Sequence, residues 1–163
     1  MNPRVACIGS REISTETKVY LEYVGLYYAG RGCTIVTGNA QGSDQAYALG
    51  ANTVDPNLVE LWLPWPSYEQ KAVLEGNTIH LVDEATRADW VLAERCHPAW
   101  AKLNDPVRRL MVRNAMIVST SQLVVAWPDR SKIGYGGTGH GMRVAMELGI
   151  SIWFADAAQF YGA

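Results

Sequence analysis

Short apolar runs that stop abruptly at glycine, each followed by a stretch of helical periodicity, recur along this chain. The first run, RVACI at residues 4–8, halts at Gly9-Ser10-Arg11 and reads as a buried strand entering a turn. Residues 15–29 then carry Val19, Tyr20, Tyr23, Val24, Leu26 and Tyr27 at three- and four-residue spacing, with Gly30 and Gly32 as the stop. The second run, CTIVT at 33–37, ends at Gly38 and leads through Asn39-Ala40-Gln41-Gly42-Ser43-Asp44 into an alanine-rich helix, with Ser43 or Asp44 placed to cap it. Residues 58–63 form a third strand, stopped by Pro64-Trp65-Pro66. The pattern then predicts a short helix over 67–74, a segment of either type at 78–82, a helix over 83–96, and a helix from Asp105-Pro106 to about Val118. A strand at 122–127, a glycine-rich loop at 128–138, a helix over 139–148 and a last strand at 150–154 complete the reading.

Strands alternating with helices of this length call for a parallel sheet covered on both faces, because each right-handed crossover lays its helix on one face. The expectation is an α/β fold, a Rossmann-like three-layer α/β/α sandwich with a mostly parallel sheet, formed as a single domain over residues 1–163. Composition agrees: 163 residues, 48% apolar and 18% charged, is globular rather than disordered. Fourteen basic against sixteen acidic residues leave a net charge of −2, so any anion site is local rather than a property of the whole surface. No apolar run reaches the roughly 20 residues of a membrane span, and the N-terminus lacks a secretory pattern. Cys7, Cys33 and Cys96 are odd in number and widely separated, which fits a reducing, cytoplasmic setting. With His80, His97 and His140 they offer no short-spaced ligand pair, so neither metal nor cofactor is expected.

In open parallel sheets the ligand crevice lies beyond the carboxyl ends of the strands. Three such ends carry the unusual residues here. Gly134 to Gly141 reads GYGGTGHG, five glycines in eight residues before a helix. Missing Cβ atoms and the free amides of a helix start suit a phosphate, although the stretch is neither a Walker loop nor GxGxxG. Gly38 to Asp44 has the same logic, Gly38 turning the chain and Gly42 allowing close approach. Asp44 reads first as a cap and second as an acceptor for a ribose hydroxyl, since a carboxylate repels phosphate. Ser10 and Arg11 add a hydroxyl and a cation. Arg109 and Arg113 share one helix face, while Trp65 and Tyr135 are placed to stack on a base.

These residues together resemble the SLOG superfamily of Rossmann proteins, which includes DprA (Smf), YspA-like, MCP/YpsA-like and lysine-decarboxylase-like proteins and, more distantly, the LOG phosphoribohydrolases. CIGSRE followed by IVTGNAQGSDQAYALGA is similar to the first two strands with their glycine turns, closest to the DprA and YspA-like branches. Arg113-Asn114 resembles the Arg-Asn pair before the penultimate strand of DprA, and GGTGHGMRVAMELGISIWF the glycine loop, helix and last strand. The resemblance implies a nucleotide or nucleotide-derived ligand, with single-stranded DNA as an alternative partner, and self-association into a homo-oligomer. It places ligand contacts at Gly9, Ser10, Arg11, Gly38, Asn39, Gly42, Ser43, Asp44, Arg113, Gly136, Gly137, Thr138 and Gly139. A further alternative is N-glycosidic hydrolysis of nucleoside monophosphates. The hydrolases use a glutamate in P-G-G-x-G-T-x-x-E, but Arg143 stands at that position here. The catalytic candidates under that reading are Arg113 as phosphate clamp and Glu147, one turn later, or Asp44 as the acid/base. The acidic balance favours a small nucleotide-like ligand over long DNA.

Overall fold

The computed structural model describes residues 2–160. Six strands, β1 (Arg4–Gly9), β2 (Thr34–Thr37), β3 (Val59–Leu63), β4 (Thr78–Leu81), β5 (Leu123–Trp127) and β6 (Ser151–Phe154), form one sheet in the order β4-β3-β2-β1-β5-β6, and every pairing is parallel. Helices α1 (Thr15–Ala29) and α2 (Ser43–Val54) cover one face. Helices α3 (Arg87–Arg95), α4 (Asp105–Ser119) and α5 (Gly136–Leu148) cover the other, and α6 (Ala155–Phe160) follows the last strand. This is the three-layer α/β/α sandwich that the alternation predicts.

Period-two alternation along β1 assigns its side chains to the two layers. Val5 and Cys7 join Leu21, Val24 and Tyr47 beneath α1 and α2, whereas Ala6 and Ile8 join Val112, Ile117 and Met142 beneath α4 and α5. Burial pushes the Cys7 thiol far above its ordinary range, so it packs as a small hydrophobe. Helices α1 and α2 approach closely because a Cβ at Gly50 would lie 1.7 Å from the Glu22 carbonyl oxygen, and one at Gly25 2.0 Å from that of Tyr47. The amino-terminal edge is tied by Arg4, whose guanidinium donates to both carboxylate oxygens of Glu60 at 2.5 and 2.7 Å, while His80 Nε2 lies 3.0 Å from the same group.

Three local expectations are corrected. The helix expected over 67–74 is a set of turns with one 3₁₀ segment, Gln70–Ala72, because Glu69 takes a left-handed conformation (φ 46°) that interrupts it. The helix expected from residue 83 starts at Arg87, where Thr86 and Asp89 form a reciprocal capping box. The last long helix starts at Gly136 rather than Gly139, directly after Tyr135 at φ 59°. No helix among the described residues is long and apolar enough to cross a membrane.

Candidate functional site

Strand order reverses between β1 and β5, whose register pairs Gly9 with Trp127 at their carboxyl ends. Chains leaving a parallel sheet at such a reversal diverge to opposite faces and leave a crevice between them. Here the crevice has a volume of about 270 Å³. Its walls come from the end of β1 (Gly9, Ser10, Arg11), from the α2 entry (Ala40, Asp44), from α4 (Arg113, Asn114) and from the α5 start (Gly136, Gly137, Thr138). The segments around residues 10, 40 and 138 therefore share one cavity.

The α5 start is built for an open rim. Tyr135 occupies the cap position in a left-handed conformation and supplies no side-chain hydrogen bond to the first-turn amides. A Cβ at Gly136 would meet nothing within 4 Å, and one at Gly137 only Asn114 Nδ2 at 3.7 Å. Asn114 in turn donates to the Gly137 carbonyl at 3.3 Å, fixing the loop to α4. An uncapped helix start presents amide donors and the positive end of the helix dipole.

Arg113 is buried, 5% exposed, beneath the same cavity. Its Nη1 donates to the Gly38 carbonyl at 3.0 Å and its guanidinium lies 5.4 Å from the Tyr68 ring centroid, yet Nε has no partner. Asp44, also buried, receives the Ala40 amide on Oδ2 at 3.2 Å. Burial raises its pKa, opposed first by Arg113 and then by that amide. The carboxylate thus closes the loop ahead of α2. The capping expectation is corrected accordingly: Gly42 is the cap residue, without a side-chain bond, and Ser43 Oγ instead donates to the Ser10 carbonyl at 2.7 Å.

Of the sequence-derived ligand set, Gly9, Ser10, Arg11, Asp44, Arg113, Gly136, Gly137 and Thr138 line the crevice. Gly38, Asn39, Gly42, Ser43 and Gly139 do not. Their small size serves protein contacts instead. A Cβ at Gly42 (φ 83°) would lie 2.3 Å from the Arg11 carbonyl oxygen, and one at Gly139 1.7 Å from that of Gly134. Asn39, at φ 61°, is fully buried and donates to the Glu69 carbonyl at 3.0 Å. Glu147 lies outside the crevice on the exposed side of α5, paired with Arg95 at 3.1 Å. Arg143 turns away as well, its Nε donating to the Cys96 carbonyl at 2.8 Å. The structure therefore brings Arg113 and Glu147 into no common site. Trp65 stands edge-on to Tyr68 rather than in the crevice, whereas Tyr135 lines it.

Sequence reasoning noted Asn114 only through the resemblance and missed Lys132 and Asp129 as lining residues. Lys132 Nζ lies 3.9 Å from Asp129, whose pKa is lowered by the Ser131 hydroxyl and amide. The signal for Lys132 was its position in the loop between Pro128 and Gly134. Among the described residues no group of three or more His, Cys, Asp or Glu is placed to hold a metal ion.

No family model matches the chain, and no curated protein matches it in sequence. Solved structures do match in fold. DNA processing protein A from Helicobacter pylori, described for its single-stranded DNA binding mode, aligns at a TM-score of 0.66 and 18% identity. That of Streptococcus pneumoniae aligns at 0.66 and 20%, and a molybdenum cofactor binding protein from Rippkaea orientalis at 0.61 and 21%. The alignments cover 93%, 94% and 94% of this chain. They span 64% and 50% of the two DNA processing proteins and 76% of the cofactor-binding protein. The chain shares the Rossmann-like α/β fold of these solved structures.

Proposed function

We propose that the crevice binds a small phosphate-bearing ligand of the nucleotide class, with the anion at the start of α5. The observation that carries this reading is the conjunction of uncapped Gly136 and Gly137 amides with Arg113, a buried cation one of whose N–H groups has no partner. A buried cation is costly without a counter-charge, and an anion in the cavity above Arg113 adds one to that of Asp44. Arg11 and Lys132 at the rim add long-range attraction. Tyr135 supplies an aromatic face for a base.

The size of the cavity and the net charge of −2 favour a single small ligand over a long polyanion. Fold neighbours described as binding single-stranded DNA or molybdenum cofactor support a binding role for this chain. Hydrolysis of a nucleoside phosphate receives no support from Glu147, which faces away.

Gly137→Ala tests the proposal cleanly, because the added methyl has room in the protein but enters the anion cradle. Calorimetric titration with the four common nucleoside 5′-monophosphates and inorganic phosphate is expected to show binding by the wild type. The variant should lose about tenfold in affinity while melting at or slightly above the wild-type temperature, since alanine is the better helix former. No binding at millimolar ligand, or unchanged affinity in the variant, refutes the reading.

A further inference from the structure

Behind the Arg11 ridge lies a second and larger groove of about 500 Å³, bounded by the start of α1, by α2 and by the segment around residues 71–74. Its cations are Arg11, Lys18 and Lys71, and no Asp or Glu is among its lining residues. That composition runs against the chain as a whole, which carries more acid than base.

The pairing state of these cations is equally uneven. Of the chain's fourteen Lys and Arg, nine make an ion pair or a side-chain hydrogen bond within the described residues. Arg11, Lys18, Lys71, Arg87 and Lys102 make neither, so three of the five unpaired cations gather at one groove. Cations lining a groove that has no acidic side chain among its lining residues give it a local positive field, which attracts an anion. The floor is apolar: Leu49 and Leu74 line it while 45% and 44% exposed, an arrangement suited to the face of a base. Gln41, exposed at the edge and making no side-chain hydrogen bond, offers both a donor and an acceptor.

Arg11 lines the crevice and the groove alike. We infer that the groove is a second anion subsite, and that the ligand held in the crevice continues across Arg11 into it as a second, phosphodiester-linked nucleotide unit. This inference rests on the nucleotide reading of the crevice. The shared chemistry is a pair of nucleotides joined by phosphate, whether free or at the end of a strand.

The test compares adenosine 5′-monophosphate with the 5′-phosphorylated dinucleotide pApA, on the wild type and on Lys18→Ala/Lys71→Ala. Both lysines are exposed and unpaired, so the variant is expected to fold and melt as the wild type does. The dinucleotide should bind the wild type about tenfold more tightly than the mononucleotide, because its second unit binds at high effective concentration. The double variant should lose that advantage and keep its affinity for the mononucleotide within about twofold. Its dinucleotide affinity should also depend less steeply on salt. Mononucleotide binding without a gain for pApA, or a gain that survives in the double variant, overturns the inference alone. Failure of both ligands to bind overturns the crevice reading itself. A twelve-nucleotide strand separates the sources: affinity equal to that of pApA assigns the site to a free dinucleotide, and a further gain assigns it to a strand.

Discussion

Substituting Gly42 by alanine probes the joint on which the crevice wall depends. Gly42 has φ 83° and ψ −121°, a region that residues with a Cβ avoid at a cost of about 1–3 kcal/mol. The added methyl would also lie 2.3 Å from the carbonyl oxygen and 2.6 Å from the carbonyl carbon of Arg11. These are backbone atoms, so relief requires the loop after β1 to move. That loop is held by the Ser43 amide, which donates to the Ser10 carbonyl at 3.0 Å, and by the Ser43 hydroxyl, which donates to the same oxygen at 2.7 Å. Losing both adds about 1–3 kcal/mol. The combined loss is about 3 kcal/mol or more, equivalent to a fall of roughly 6–12 °C in melting temperature for a chain of this size. Gly149→Ala is the control, because Gly149 also has positive φ (70°) but a Cβ there meets nothing within 4 Å. It should cost about 1 kcal/mol. Differential scanning calorimetry of the two variants decides the matter, and equal losses would refute the claim that loop-to-loop contact at Gly42 positions Arg11.

Two further predictions concern stability away from the crevice. Glu60→Gln weakens the bidentate acceptor of Arg4 at the opposite end of the sheet. Urea denaturation should show a loss of about 1–3 kcal/mol, while mononucleotide affinity stays unchanged. His140 is fully buried, its Nε2 lies 2.9 Å from the Ala93 carbonyl, and burial, with lesser help from Arg143 and His97, lowers its pKa to about 4. Because the unfolded chain binds this proton at the ordinary pKa of 6.5, stability is fully present above pH 6.5 and is lost as pH falls from there to about 4. The loss from this one group amounts to roughly 3 kcal/mol. Chemical denaturation of wild type and His140→Gln at pH 7 and pH 4.5 should show a smaller acid loss in the variant; parallel losses would count against a neutral buried imidazole.

The alternation of strands and helices was legible because both periodicities are written in side-chain polarity. Val5 and Cys7 against Ala6 and Ile8 sort to opposite layers by parity alone. Element ends were less legible. Whether residues 67–74 become helix depends on the left-handed Glu69, and no local pattern announces that conformation. The start of α5 depends likewise on Tyr135, a residue type rarely found at positive φ.

The glycines show why a site read from one sequence is legible only in part. A glycine in a strand-to-helix loop signals that something approaches the backbone, but the letter does not say whether the visitor is a ligand or the protein. At Gly42 and Gly139 it is the protein, and at Gly136 and Gly137 the space stands open. These two classes act together. The close approach at Gly42 seats the backbone of Arg11, and that at Gly139 seats the loop from Gly134, so the open amides and Arg11 reach the same cavity. Arg113 follows the same division: one end of its guanidinium secures Gly38, while Nε is left without a partner. Wall-building contacts made by the protein alone therefore hold the open amides, Arg11 and Arg113 in place, and under the proposed anion binding this reduces the ordering cost that a ligand would otherwise carry.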